Sequence, residues 1–582
     1  MSQAHKAMAF VAIFSYSTLV SAAADFPPFE IRAYERAIDR PEQTFEAPED
    51  VEIPKVSERV YEEEEQQRLP IEEVRIRGVV PFPERGISEE IIQALINEKF
   101  EQEQATELDD NGFTRRDLDD IGRFLRAISD RGGIADEEDL DALNAMTVRI
   151  RGERGWITVE QLDAIAQTVT EYYRANGFIL AAAYIPEQEV ADGIVYLSVL
   201  EGRLGEVAVA NNQVFDDVTI KRAFTGEVGE PVTEERVESA LRRINDLPGV
   251  RVRGSFAPGQ SVGETKLTLG VLEESSWRSQ VLVDNHGSPT TGETRVFGIA
   301  EWFNIRQKGH RLLVGALRSE GPDSALYGVL EYEMPVTEDG RGKVRGSVSS
   351  NQFAIGPLDN LPEIIGETDN YGITGSYQFI RSRTLNFGGS VAYVQKDVLF
   401  KVGELATLST DQNIETFSVA VDYTRLWDEQ QFLLTGRLGI DQGHVISGEV
   451  RDQSTDFTKV LLNASLLKRF SIDNWLTKNE SYFNFVVKMN VQYAEKFLSS
   501  VEQFSLGGPS AVRAFGVSDV SVDSGVYLGT ELFFDLPIDP LSLTDLPLDP
   551  IKPYLFFDYA YGVGILPSGA SNRDAQIKAY GL

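Results

Sequence analysis

Few side chains in this sequence are grouped for chemistry. Cysteine is absent from its 582 residues, so no disulfide, thiolate metal site or thiol nucleophile can form. The four histidines, His5, His286, His310 and His444, are scattered, and no two have the i, i+4 spacing that sets imidazoles side by side on a helix. There is no G-x-S-x-G elbow, no H-E-x-x-H and no phosphate-binding G-x-x-x-x-G-K-S/T. Carboxylates are abundant, 91 Asp and Glu against 55 Lys and Arg, so acid clusters read as solvated faces rather than catalytic pairs. No catalytic residue, metal or cofactor is expected. The polar group that stands out is Arg513, in "GGPSAVRAFG" (Gly507 to Gly516), a guanidinium between apolar neighbours in a glycine-marked stretch. Its chemistry would be charge-assisted hydrogen bonding to a carboxylate. The plainer reading is an exposed loop arginine with no partner.

The elements around Arg513 decide between these readings. A formal charge of −36 leaves no basic face for phosphate backbones, so no nucleic-acid partner is expected. The amino terminus, "HKAMAFVAIFSYSTLVSAAAD", has a basic residue at Lys6, an apolar run from Ala7 to Val20 and small residues at Ala22 to Ala24. It reads as a secretory signal over residues 1–24, cleaved near Asp25. Residues 25–70 are acidic and proline-spotted, ending in "YEEEEQQRLP", and read as a linker or a plug-helix segment.

From Ile71 to about Glu274, short β-like runs alternate with amphipathic helices, an α+β texture. "TEERVESALRRINDL" puts Val237, Ala240, Leu241 and Ile244 on one helical face. "FTRRDLDDIGRFLRAISDRGGI" from Phe113 aligns with "ITVEQLDAIAQTVTEYYRANGF" from Ile157; Thr114, Leu118 and Gly133 match Thr158, Leu162 and Gly177. Duplication and shared helix grammar explain this equally well. The acid-rich "ELDDNG" is not a calcium loop, because Leu118 stands where the bidentate acid belongs.

From about Ser276 the pattern becomes strict alternation. "TFSVAVDYT" sets Phe417, Val419, Val421 and Tyr423 against Ser418, Ala420, Asp422 and Thr424. "FNFVVKMNVQY" sets Phe483 to Tyr493, by twos, against Asn484, Lys488, Asn490 and Gln492. One apolar face with aromatic ends and one that tolerates charge fits strands with lipid outside and water inside. About fourteen segments are visible, beginning near Arg278, Glu293, His310, Ala325, Lys343, Asn370, Leu385, Ile414, Gln431, Asp456, Tyr482, Gly525, Lys552 and Asp574. An all-β transmembrane barrel is expected, since lipid tolerates only sheets that leave no edge.

On these features the sequence resembles the two-partner secretion transporters (TpsB type) of Gram-negative outer membranes, in the Omp85 superfamily that also holds the barrel-assembly insertase. "GFILAAAYIPEQEVADGIVYLSVLEGRLGEV", with Gly177, Pro186, Gln188, Gly193, Glu201 and Gly202, is similar to the family's first polypeptide-transport-associated (POTRA) domain. "VDNHGSPTTGETR", with Asp284, Asn285 and Gly287, and later "FSLGGPSAVRAFG" and "DSGVYLGTEL" match its barrel landmarks. The resemblance implies two periplasmic α+β POTRA domains: residues 71–203, with a helical insertion at about 100–155, and residues 204–275. The barrel would occupy 276–582, with a lumen-folding loop at 499–524. The family barrel has sixteen strands, so the resemblance also implies either truncation after the fourteenth, the favoured reading because an unclosed sheet would present two edges to lipid, or a barrel that closes with fewer strands.

The resemblance attaches roles to residues. The loop motif of Gly507, Gly508, Val512, Arg513, Ala514 and Phe515 would fold into the lumen, and Arg513 would pair with Asp558 of the wall motif Phe556, Asp558, Ala560. Alternation independently turns Asp558 inward, with Leu555, Phe557, Tyr559 and Tyr561 toward lipid. Ala514 and Ala560 stand where the family carries glycine, a residue that marks positive φ or very close packing. The implied function is export of an unfolded secreted exoprotein, of adhesin or haemolysin type, recognised through its amino-terminal secretion domain. The alternative is an outer-membrane protein insertase. Outer-membrane lipid is an implied partner, as are the barrel-assembly machinery and periplasmic chaperones during biogenesis.

Overall fold

A computed structural model describes residues 69–106, 115–133, 136–152, 156–190, 192–213, 215–285, 287, 291–305, 309–320, 325–356, 363–404, 409–448, 454–473, 480–516, 519–534, 553–565 and 573–581. The leader, the acidic segment through residue 68, the "ELDDNG" turn and His286 lie outside these residues.

The first module packs α1 (Glu89–Thr106) and α4 (Val159–Ala175) against a sheet of β1 (Glu73–Arg77), β2 (Ala182–Tyr184) and β3 (Ile194–Leu200), in the order β1-β3-β2. Its core joins Val74 and Ile76 to Ile92 and Ile96, and Leu162, Ile165 and Val169 to Val195 and Leu197. Thr158 opens α4 through a capping box with Gln161, satisfying amides that would otherwise be orphaned. Gln188 clips onto β3 in place of a strand, donating to the Tyr196 carbonyl at 2.7 Å and accepting its N–H at 2.9 Å. Gly202 turns the chain out of the module at φ 74°, where a Cβ would sit 2.6 Å from that of Leu180.

Between α1 and α4 lie α2 (Arg115–Asp130) and α3 (Glu137–Gly152); α1 runs on past the expected start of this insertion to Thr106. The two aligned helices share their grammar but not their burial: Leu162 is in the core, while Leu118 is 46% exposed.

The second module repeats the plan with β4 (Arg203–Ala210), the short α5 (Asp217–Lys221), α6 (Glu234–Asn245), β5 (Val250–Pro258) and β6 (Glu264–Glu274), in the sheet order β4-β6-β5. The predicted face of α6, Val237, Ala240, Leu241 and Ile244, is wholly buried.

Most of the remaining described residues form one antiparallel sheet of fourteen strands. In chain order these are β7 (Trp277–Asp284), β8 (Thr294–Ile305), β9 (His310–Glu320), β10 (Ala325–Pro335), β11 (Gly342–Ile355), β12 (Ile364–Arg381) and β13 (Leu385–Val402). They continue with β14 (Thr410–Trp427), β15 (Phe432–Ser447), β16 (Asp456–Asp473), β17 (Glu480–Ala494), β20 (Ser524–Phe534), β21 (Tyr554–Gly564) and β22 (Arg573–Gly581). Each pairs with the next, and β7 and β22 do not pair with one another among the described residues. The strands begin close to the expected positions, except that β12 and β14 start earlier; both run 18 residues, nearly twice the length that crosses a bilayer. Period-two hydropathy marks the lipid-facing stretch, and polar residues carry the pairing beyond it. Phe417, Val419, Val421 and Tyr423 face outward and exposed, as the alternation requires. No described helix is long and apolar enough to cross a membrane.

A lumenal loop latched to the barrel wall

The chain between β17 and β20 contains a 3-10 turn (Ser500–Glu502) and two short strands, β18 (Phe504–Ser505) and β19 (Ser521–Val522), which pair with each other. Their hairpin carries the "GGPSAVRAFG" stretch. A Gly507–Val512 bridge and a hydrogen bond from the Gly508 N–H to the Val512 carbonyl (3.3 Å) close the stretch on itself. Leu506, Ala511 and Val512 are buried against Tyr527, Ala560 and Ala579 of the wall, with Phe515 and Phe556 alongside. The loop therefore lies inside, against β20 to β22.

Arg513 and Asp558 meet, 45 positions apart in sequence. The guanidinium donates through Nε to Oδ2 at 2.7 Å and through Nη2 to Oδ1 at 3.1 Å, and the Arg513 backbone N–H donates to Oδ2 at 3.3 Å. Asp558 is fully buried. Two groups not singled out in the sequence complete the site. Glu531 of β20 accepts from Arg513 Nη2 at 2.6 Å, and the Tyr527 hydroxyl donates to Asp558 Oδ1 at 3.1 Å. Lys488 stands 3.8 Å from the far oxygen of Glu531. The guanidinium also lies over the Phe556 ring, 4.1 Å from its centroid. Alternation could have found Glu531, since Tyr527, Gly529 and Glu531 share the inward face of β20.

The two alanines are accounted for without strain. Neither Ala514 nor Ala560 has positive φ. Ala514 is exposed on the loop; Ala560 is fully buried beneath it, where its methyl packs among loop and wall side chains. Gly529, by contrast, leaves no room for a side chain beside the charge pair. A Cβ there would lie 2.2 Å from the Tyr527 hydroxyl and 3.2 Å from Asp558 Oδ1. Gly529→Ala is expected to displace the buried Tyr527 ring, at a cost of roughly 1–3 kcal/mol. Limited proteolysis of the folded barrel should then show faster cleavage of the loop.

A second charge site holds the loop's base. Glu502, buried, accepts from Lys396 Nζ of β13 at 2.5 Å and Lys459 Nζ of β16 at 2.7 Å, and Lys459 also lies 3.8 Å from Asp441. The Gln492 side chain donates to the backbone carbonyls of Glu502 and Asp523. Asp523, fully buried, accepts from the N–H groups of Leu498 and Ile565. Nothing local in the sequence pairs Glu502 with lysines 106 and 43 positions away. The available signal was Lys396 and Lys459 themselves, cations on inward strand positions that require counter-charges.

The other landmarks are in place. Asp284 and Arg295 form a two-point pair at 2.7 and 2.9 Å between β7 and β8, and the Gly287 N–H donates to the Glu293 carbonyl.

Comparison with known proteins agrees with this architecture. Residues 140–202 match the ShlB-type POTRA domain. The heme/hemopexin transporter protein HuxB of Haemophilus influenzae (strain 86-028NP) is 24% identical over 412 residues, 70% of each chain. The outer membrane transporter CdiB of Escherichia coli is 24% identical over 401 residues, 65% of this chain and 64% of that one. The solved structure of CdiB from Escherichia coli shares the fold, with a TM-score of 0.62 at 17% identity, covering 100% of this chain and 92% of the other. Residues 263–567, more than half of the sequence, match the family described as haemolysin secretion/activation protein ShlB/FhaC/HecB, and the chain belongs to that family.

Proposed function

We propose that this outer-membrane translocase of the two-partner secretion type captures one secreted exoprotein with its periplasmic modules and passes it, unfolded, through the lumen to the cell surface. The observation that carries the reading is the loop held inside the barrel by buried charge pairs, because a latch of that kind suits a pore that must be closed and then opened. In this reading residues 1–24 are the leader, 25–70 a linker or plug, 71–203 and 204–275 the two POTRA domains, 276–582 the barrel and 499–524 the latching loop. Arg513 and Asp558 set the latched state. The client's amino-terminal secretion domain adds a strand to the free edges, of which β2 beside α4 and β5 beside α6 are available. The family's description as haemolysin secretion/activation protein supports an exoprotein cargo. No nucleotide motif is present, so export draws on folding of the client outside. Barrel-assembly machinery and periplasmic chaperones serve biogenesis, and enzymatic activity forms no part of this function.

The test is genetic. Deleting the chain should strip one large exoprotein from the cell surface and strand it in the periplasm, with other outer-membrane proteins unchanged. A general fall in outer-membrane barrels would instead support the insertase.

A further inference from the structure

We infer that the periplasmic mouth of the barrel is a cationic vestibule that takes an extended, aspartate- and glutamate-rich segment of the passing client. The inference rests on the export reading and adds to it the chemistry of the cargo. A cavity of about 660 Å³ lies where the second module meets the barrel, lined by α6, by the inward faces of β7 to β14 and by the β10–β11 turn. Its lining holds seven Arg and Lys against four Asp and Glu, in a chain whose net charge is −36. A local excess of positive charge against that background concentrates anions and speeds their encounter.

The barrel side is a ladder of shared pairs. Glu301 takes both Arg278 and Arg311, and Glu333 takes both Arg345 (3.0 Å) and Lys343 (3.5 Å). Each carboxylate thus balances two cations, which leaves acceptor capacity wanting. On the module side Arg381 is matched by Asp246 in two bonds of 2.6 and 2.7 Å, which ties α6 to the end of β12. Arg243 of α6 is not matched. It donates to Ser239 Oγ and the Ala223 carbonyl, its Nε is buried with no acceptor, and it forms no ion pair among the described residues. Burial, with the charge of Arg341 added, holds its pKa below the ordinary arginine value even though Asp339, Glu227 and Asp246 oppose the shift and Asp339 pairs with Arg341 at 3.0 Å; an arriving carboxylate relieves the remaining penalty.

A polypeptide fits better than a headgroup because of where the cavity leads. Its lining includes Ser376 and Asp422, which face the lumen; Asp422 pairs there with Arg437, and both side chains are about half exposed. The site opens along the route a chain would follow, away from lipid. Pairs at such a rim act through long-range attraction and release readily, which suits a segment in transit.

The experiment uses the full chain in detergent micelles at about 50 mM salt. A fluorescent peptide alternating Asp and Ser should bind at least roughly tenfold tighter than the same peptide with Asn for Asp, and the difference should shrink as salt rises. Arg243→Gln with Arg341→Gln should cut Asp-peptide binding about fivefold. If the double variant does not assemble, Lys343→Gln, which leaves Glu333 paired with Arg345, should give a loss of about two- to threefold. Equal binding of the Asn peptide, or undiminished binding by the variant that assembles, overturns the inference. So does displacement of the peptide by inorganic phosphate or by a short-chain phosphatidylglycerol at equal concentration, which would assign the site to phosphate groups. Peptide binding is read without any client, so its failure leaves the export reading standing; failure of the deletion test leaves the binding result standing.

Discussion

Replacing Arg513 with alanine is expected to cut surface delivery of the secreted partner by at least about tenfold while leaving the amount of folded barrel within roughly twofold of wild type. The asymmetry follows from what the substitution leaves behind. Asp558 and Glu531 are both buried, and each has an oxygen within 3.1 Å of the same Arg513 nitrogen, so the two oxygens are no more than about 6 Å apart. Without the guanidinium, two carboxylates face each other out of water. Removing one member of a buried pair costs about 3–5 kcal/mol, and every 1.4 kcal/mol is about a factor of ten in the seating of the loop. A loop no longer seated against β20 to β22 loses the single closed arrangement that the client must displace in order, so export fails although the strands still pair. The barrel is less affected because its strand ladder does not run through the loop.

Asp558→Ala should be milder, because Arg513 keeps Glu531 and its stacking on Phe556. The double variant should fall well short of the sum of the two losses, since both remove one interaction. The sharpest arm is rescue: Glu531→Gln added to Arg513→Ala should recover part of the secretion by removing the second stranded charge. Secretion is read as surface exoprotein and folding as heat-modifiable mobility of the barrel. Wild-type secretion by Arg513→Ala, or fully additive losses, would sink the latch.

Glu502→Ala should open the pore. The fully enclosed carboxylate is shared by two ammonium groups, and among the described residues its loss leaves Lys396 and Lys459 with Asp441, 3.8 Å from Lys459, as the one remaining ion-pair partner. The buried-pair cost of about 3–5 kcal/mol again applies, here at the loop's base. In planar bilayers the open fraction should rise by roughly two orders of magnitude or more, and externally added protease should reach the loop. Adding Lys396→Gln and Lys459→Gln should restore much of the closed state by removing the repulsion. An unchanged closed pore in Glu502→Ala, or no recovery in the triple variant, would show that the base of the loop is held by packing among Val398, Val445, Leu498 and Val501 instead.

Much of the fold was legible because it follows from local rules. The buried face of α6, the capped start of α4 and the faces of β14 and β17 are each set by residues within a few positions of one another. Alternation placed Asp558 inward with no partner in view. Burial in the insertion was less legible: Leu118 and Leu162 sit in the same helical pattern, but only Leu162 has a sheet to pack against.

By itself, then, the sequence determined which elements form and which way each side chain points, because pleat and helical pitch are properties of a short stretch of backbone. It also supplied the charges, Asp558, Lys396 and Lys459 at inward strand positions and Arg513 in the loop. Only the tertiary structure decided which charge meets which. The placement of Glu531 beside Arg513, the sharing of Glu502 between β13 and β16, and the cluster of arginines under α6 all depend on how the sheet curls and where the loop folds back. Electrostatic pairing acts over a few ångströms, and the chain brings residues from 18 to 106 positions apart within that range only once the sheet has assembled around the loop.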